Sequence, residues 1–231
     1  MPATLFTLPA NPTIPVKGEA AEYPIGRIFC VGRNYAAHAA EMGAEVDREA
    51  PFYFTKSPTT AVMTGAEVPY PAGTADYHYE MELAFVIGAP AFRVSKEDAL
   101  KAVYGYCCAL DMTRRDIQAA AKAKRRPWDA SKDFENSAIF APITKAEDFA
   151  VGSQRIHLEV GGAQRQDSTL DLMIHDVAAI IADLSKYYHL RPGDVILTGT
   201  PEGVGPVAAG DTITGGIDGL EPVELTIGAA E

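Results

Sequence analysis

The sequence is short of several things, and each shortage excludes something. Only three cysteines, Cys30, Cys107 and Cys108, stand among 231 residues. The number is odd, two are adjacent, and none has C-x-x-C spacing. That argues against a disulfide framework or a structural zinc and for buried, reduced thiols. No apolar run approaches the ~18 residues of a membrane span. The opening MPATLFTLPANPTIP lacks a basic stretch and is broken by prolines. It does not read as a signal peptide, so a cytoplasmic location is expected. Positive charge is scarce too: 20 basic against 31 acidic residues leave a net charge of −11. Such a surface repels phosphate backbones and anionic lipids, so no nucleic-acid or membrane partner is expected. An anionic substrate stays open, because local charges set a site.

Familiar motifs are missing as well. No G-x-G-x-x-G follows a strand, and Thr198–Gly205 (TGTPEGVG) lacks the spacing, the lysine and the following helix of a phosphate loop. Neither a G-x-S-x-G elbow nor H-E-x-x-H occurs.

What is present is an ordinary globular composition, 47% apolar and 22% charged. The length suits one large domain behind a short leading segment. Residues 1–26 carry five prolines and read as an extended arm; 27–231 read as the main domain. Strands are expected at Ile28–Val31, Phe52–Thr55, Glu80–Ile87, Gly105–Leu110 and Ala138–Ile143. Helices are expected at Asn34–Met42, Ser95–Val103, Thr113–Lys124 and Asp176–Tyr188. Glu41–Pro51 reads as a mobile polar loop that could act as a lid. The last third is mostly β, with a hairpin turning at Gly161-Gly162. Strands outnumber helices without strict alternation, so the fold class is α+β with a large mixed sheet.

Four constellations carry chemistry. Glu80 and Glu82 lie two apart on a predicted strand, so they share a face with Cα atoms ~6.6 Å apart. Strand interiors are poor in Glu, and like charges this close call for a cation, unless the face is simply solvated. Asp111 ends an apolar strand. It is a helix cap or a third carboxylate, which would complete a face for a hard divalent ion. His38 and Glu41 are three apart on a helix, either a surface pair or an imidazole oriented as a general base. Arg115 and Gln118 are also three apart and could clamp a carboxylate; Lys132 could meet a developing enolate. Each of these charges could equally be a solvated helix face. His78 alternates with Glu80 and could support it from behind.

The blocks IFCVGRNYAAHAAEMG, YEMELAFVIG, ALDMTRRDIQ, PWDASKDF and GDVILTGTPEGVGPVAAGDTI, in that order, resemble the fumarylacetoacetate hydrolase superfamily. Within it, the length and the arm look most like the bacterial fumarylpyruvate hydrolases, or acylpyruvases. They are also similar to the mitochondrial acylpyruvase and oxaloacetate decarboxylase type. The resemblance implies a mixed β-sandwich roll with flanking helices and a homodimer. It implies Mg²⁺ or Mn²⁺, with Ca²⁺ a further candidate, on Glu80, Glu82 and Asp111. It gives His38 and Glu41 the water-activating role, Lys132 the enolate, and Arg115, Gln118 and Thr200 the small anionic 2-oxo acid. The implied reaction splits an acylpyruvate, fumarylpyruvate into fumarate and pyruvate, as in the gentisate route of aromatic catabolism. The same site would also serve an oxaloacetate decarboxylase or a 2-oxo-dienoate isomerase; a non-catalytic dicarboxylate-binding module is the rival of another class. The basic stretch Lys122, Lys124, Arg125 and Arg126 departs from the pattern.

Overall fold

Met81–Ile87 shows how the core is organised. All seven residues are buried, because both faces of this strand are covered. Met81, Leu83, Phe85 and Ile87 join one apolar cluster, while Ala84 and Val86 join another. A strand covered on both sides needs a continuous apolar run, which is what the sequence supplies after Glu82.

The structure, a computed structural model, describes residues 5–43 and 47–230. Residues 1–4 of the expected arm and 44–46 of the expected lid lie outside the described residues. The strand sits inside a large mixed sheet. Its path runs Phe52–Lys56, Arg27–Gly32, Asp194–Leu197, Met81–Ile87, Val103–Asp111, Ala138–Phe140 and Ala61–Met63. Asp194–Leu197 runs parallel to Arg27–Gly32, and Ala138–Phe140 parallel to Ala61–Met63; the other neighbours are antiparallel. A five-stranded sheet contributes Ile156, Leu158, Ile213, Leu225 and Ile227 to the first cluster. Helix Val177–Leu184 adds Val177, Ile180, Ile181 and Leu184. The fold is therefore α+β, a mixed sandwich with few helices.

The proline-rich lead is more than an arm. Thr13–Pro15 and Glu22–Pro24 pair as a short antiparallel ladder, and Ile14, Tyr23 and Ile25 cover the second face of the large sheet. The Tyr23 hydroxyl donates to the Ile87 carbonyl (2.7 Å) and accepts from Gly193 N–H (2.7 Å).

Several boundaries differ from the sequence expectation. Ser95–Val103 is a single α-turn, Lys96–Ala99, capped by Ser95, then a 3-10 turn, because Val103 already pairs with Ile87. Thr113–Arg114 is strand rather than helix, since it pairs with His78 and Tyr77. The helix proper is Arg115–Ala123. The last helix stops at Leu184, where the Ser185 hydroxyl turns back to the Ala182 carbonyl. The three cysteines are buried and unbridged, and burial pushes their thiols upward.

Candidate active site

The acidic cluster follows from strand register. Glu82 lies opposite Ala109 on the antiparallel neighbour, and one step on, Asp111 N–H donates to the Glu80 carbonyl (2.9 Å). Period-two alternation therefore puts Glu80, Glu82 and Asp111 on one face. Glu80 is not inside a strand, as the sequence suggested. It occupies the break between Tyr77–Tyr79, which belongs to a separate three-stranded sheet, and Met81–Ile87. Its carbonyl nevertheless keeps the ladder, so the carboxylates still converge. One oxygen from each of the three lies within 4.8 Å of the others, and all three residues are buried.

Three buried cations answer them, unequally. Lys132 Nζ bridges Glu80 Oε2 and Asp111 Oδ2 at 2.7 Å each. Arg115 Nη2 reaches Glu80 Oε1 at 2.5 Å. Lys56 Nζ stands 2.9 Å from Asp111 Oδ1, without the alignment of a hydrogen bond. Glu82 has no basic partner among the described residues; its Oε2 accepts only Gly199 N–H, at 2.7 Å. Burial raises the Glu82 carboxyl well above its ordinary range, and the charges of Asp111 and Glu80 raise it further. At Glu80 burial pulls the same way, but Lys132 and Arg115 overcome it and hold the group well below its ordinary range. Three hard oxygen donors, one of them lacking a counter-cation, fit a hard divalent ion.

The dyad is also assembled. Helix Ala36–Glu41 brings His38 Nδ1 to 3.3 Å from Glu41 Oε2, and Glu41 accepts from Gly203 N–H at 3.2 Å. Burial lowers the His38 imidazole below its ordinary value, although Glu80 and Glu41 pull it up. A neutral imidazole with Nδ1 facing a carboxylate leaves Nε2 as the atom able to take a proton.

Helix Arg115–Ala123 delivers the clamp. Arg115 Nη1 donates to Gln118 Oε1 (2.7 Å), and Arg115 Nε to His78 Nδ1 (3.4 Å). His78 Nε2 in turn meets Asp76 Oδ1 at 2.8 Å, so His78 does sit behind the Glu80–Arg115 pair. Much of the Arg115 guanidinium is thus engaged within the protein, and the amide nitrogen of Gln118 is the more available donor. Thr200 Oγ1 accepts from Gln166 Nε2 at 2.8 Å. His38, Glu80, Glu82, Arg115, Gln118, Lys132 and Thr200 all line one inner cleft of about 30 Å³, room for a water or an ion. It shares Arg33, Met42, Phe54, Lys122, Trp128 and Lys132 with an outer chamber of about 740 Å³.

Three supporting residues escaped sequence reasoning. Lys56 is fully buried; its ammonium also donates to the Lys132 carbonyl, to Ser137 Oγ (3.0 Å) and to the Met112 carbonyl (3.3 Å). Asn34 donates to the carbonyls of His175 (2.9 Å) and Thr198 (2.8 Å) and accepts from His175 N–H (2.8 Å). Gln166 accepts from Met81 N–H at 3.0 Å and donates to Thr200. The one available signal was a lysine closing an apolar strand. Gly199 completes the frame. Its φ is +95°, and a Cβ there would stand 2.8 Å from Asn34 Cβ and 3.0 Å from the Val31 carbonyl oxygen.

Comparison with known proteins places these features in a lineage. The fumarylacetoacetate (FAA) hydrolase C-terminal family profile matches residues 27–228. A fumarylpyruvate hydrolase of Ralstonia sp. is 53% identical over 192 residues, covering 82% of this chain and 100% of that protein. An oxaloacetate tautomerase of Escherichia coli is 40% identical over 205 residues, covering 88% of this chain and 93% of that one. The crystal structure of a fumarylpyruvate hydrolase from Pseudomonas aeruginosa, in complex with Mn²⁺ and pyruvate, superposes with a TM-score of 0.94 at 40% identity. It covers 98% of this chain and 100% of that one. Among the described residues no helix is long and apolar enough to cross a membrane.

Proposed function

The chain belongs to the fumarylacetoacetate hydrolase family, and on that premise we propose that it hydrolyses the carbon–carbon bond of an acylpyruvate, fumarylpyruvate above all. The observation that carries this reading is that His38, paired with Glu41, lines the same cleft as Glu80 and Glu82, which cluster with Asp111. Attack by water needs a base beside the second carbonyl; loss of CO₂ from oxaloacetate does not.

In our reading Glu80, Glu82 and Asp111 hold Mg²⁺ or Mn²⁺. When bound, the ion supplies Lewis-acid stabilisation of oxygen charge on the 2-oxo acid end of the substrate. Gln118, held by Arg115, and the Thr200 hydroxyl orient that end. His38 Nε2 takes a proton from water, and Glu41 steadies the resulting imidazolium through Nδ1. The hydroxide adds to the distal carbonyl carbon. The bond to the methylene carbon then breaks, and its electron pair leaves with pyruvate as an enolate. Lys132 offers N–H donors beside that charge. The imidazolium returns the proton to the methylene carbon of the enolate, and the new carboxylic acid ionises, so water is consumed and fumarate and pyruvate are formed.

The same proposal makes 27–231 the catalytic unit with 1–26 as an arm upon it. It makes the protein a cytoplasmic homodimer acting in aromatic catabolism of the gentisate kind. The test is the ultraviolet enol band of fumarylpyruvate, followed with Mg²⁺ and then with EDTA, with oxaloacetate as competitor. Metal-dependent loss of the band with equal yields of fumarate and pyruvate is expected. An unchanged band, with CO₂ released from oxaloacetate instead, would move the function to decarboxylation.

A further inference from the structure

The outer chamber is out of character with the rest of the chain. The protein carries a net charge of −11, yet Arg33, Lys122, Arg125 and Arg126 line this chamber against one acid, Asp129. Two of those cations crowd a single indole. The Arg33 guanidinium lies 5.8 Å from the Trp128 ring centroid and Lys122 Nζ lies 5.0 Å from it. Arg33 also stands 5.8 Å from the Phe52 centroid. Among the described residues no carboxylate pairs with either cation. Half-burial, and then the charges of Arg115 and Arg33, pull the Lys122 ammonium down to about 8. Arg33 is held at φ +59°, a left-handed conformation that an arginine adopts only under constraint. These cations, two of them (Arg33 and Arg125) on left-handed backbone, are gathered in the chamber that adjoins the inner cleft.

The helix acts as a ruler. Arg115, Gln118 and Lys122 follow i, i+3, i+7 spacing and share one face. At 1.5 Å of rise per residue, Lys122 lies about 6 Å beyond Gln118 along the axis. A seven-carbon acylpyruvate with a second carboxylate spans six carbon–carbon bonds, roughly 7.6 Å at 3.8 Å per three backbone bonds. With its first carboxylate at Gln118, its far end reaches the level of Lys122.

We propose that Arg33 and Lys122 form an anion subsite for a carboxylate at the far end of the acyl group, with Trp128 flanking the chain, and that this subsite selects dianionic acylpyruvates over those with neutral acyl groups. The inference rests on the acylpyruvate reading above and names the residues that would recognise the far end of the acyl group.

The test compares kcat/KM for fumarylpyruvate and for crotonylpyruvate, which replaces the far carboxylate by a methyl group. Wild type, Lys122→Met and Arg33→Gln are measured, each loaded with Mn²⁺. Each substitution should lower the fumaryl-to-crotonyl ratio roughly 10- to 100-fold, mainly through KM, the loss expected for one charge-assisted hydrogen bond. Turnover of crotonylpyruvate should hold, which also reports that the variants are folded. Equal losses on both substrates would assign the cations to the shared pyruvate end, and an unchanged ratio would remove them from recognition; either overturns the proposal. Calorimetry of fumarate against crotonate reads the subsite without turnover. Wild type should prefer fumarate and Lys122→Met should not; equal binding by wild type overturns the subsite. A fumarate preference without acylpyruvate cleavage would sink the hydrolase reading alone.

Discussion

Lys56→Met isolates the electrostatics of the buried cluster. The Lys56 ammonium is buried 2.9 Å from Asp111 Oδ1, where among the described residues no other cation stands. Removing one partner of a buried ion pair typically costs about 3–5 kcal/mol, because the remaining charge is left desolvated. Here Lys132 still holds Asp111 Oδ2 at 2.7 Å, and Ser137 Oγ still donates to the Lys132 carbonyl at 3.0 Å. The low end, about 3 kcal/mol, is therefore expected, with the methionine filling the lysine stem's space. For a domain this size that is roughly 6–12 °C in Tm. The assay is urea unfolding by circular dichroism in EDTA. Asp111→Asn in the same background should recover part of the loss, since no orphaned charge remains. The cycle should therefore show a coupling of about 1–3 kcal/mol. A single variant within about 0.5 kcal/mol of wild type, or a double variant costing the full sum, would refute the argument.

His38→Ala should lower kcat by roughly 10²–10⁴-fold while Mn²⁺ binding by calorimetry stays unchanged. Full activity with metal bound would dismiss His38 as the base. The buried imidazole sits below its ordinary value, so the acid limb of kcat/KM should have its midpoint below that value and fall tenfold per unit beyond it. An acid limb lying above about 6.5 would contradict that. Glu82→Ala should abolish Mn²⁺ binding in a titration; a normal isotherm would remove Glu82 from the ligand set. Gly199→Ala forces a Cβ against Asn34 and a positive φ on alanine. A loss of about 1–3 kcal/mol is expected, and an unchanged unfolding midpoint would show that the turn tolerates it.

How much was legible from the sequence depended on how local each signal was. The E-x-E spacing, the acid closing YCCALD, the H-x-x-E turn and the R-x-x-Q turn are read within a few residues, and the structure gathers all of them around one cleft. The strand break at Glu80 was invisible, because it depends on Thr113–Arg114 and Gly205–Pro206 pairing with Tyr77–Tyr79 from far along the chain. Lys56, Asn34 and Gln166 were missed for the same reason. Their partners Lys132, Thr198 and Met81 lie 76, 164 and 85 residues away. The short strands Ala61–Met63 and Ala66–Tyr70 pair in parallel with distant segments, so neither alternation nor a turn announced them.

The break in the paired strands has a consequence for how such a protein can diversify. Glu82 and Asp111 hang from interior strands packed on both faces, with Glu80 at the break beside them, and a shift of either strand would disturb the whole barrier between two cores. Past Glu80 and Met112 the chain leaves that sheet, and the cations Arg33, Lys122, Arg125 and Arg126 that face the outer chamber sit on a strand end, a helix and a turn. Mutation there meets little resistance from packing. The part of the pocket that chooses the acyl chain can drift while the part that handles the common 2-oxo acid stays fixed. Relatives can then inherit one carbon-acid chemistry and apply it to different molecules.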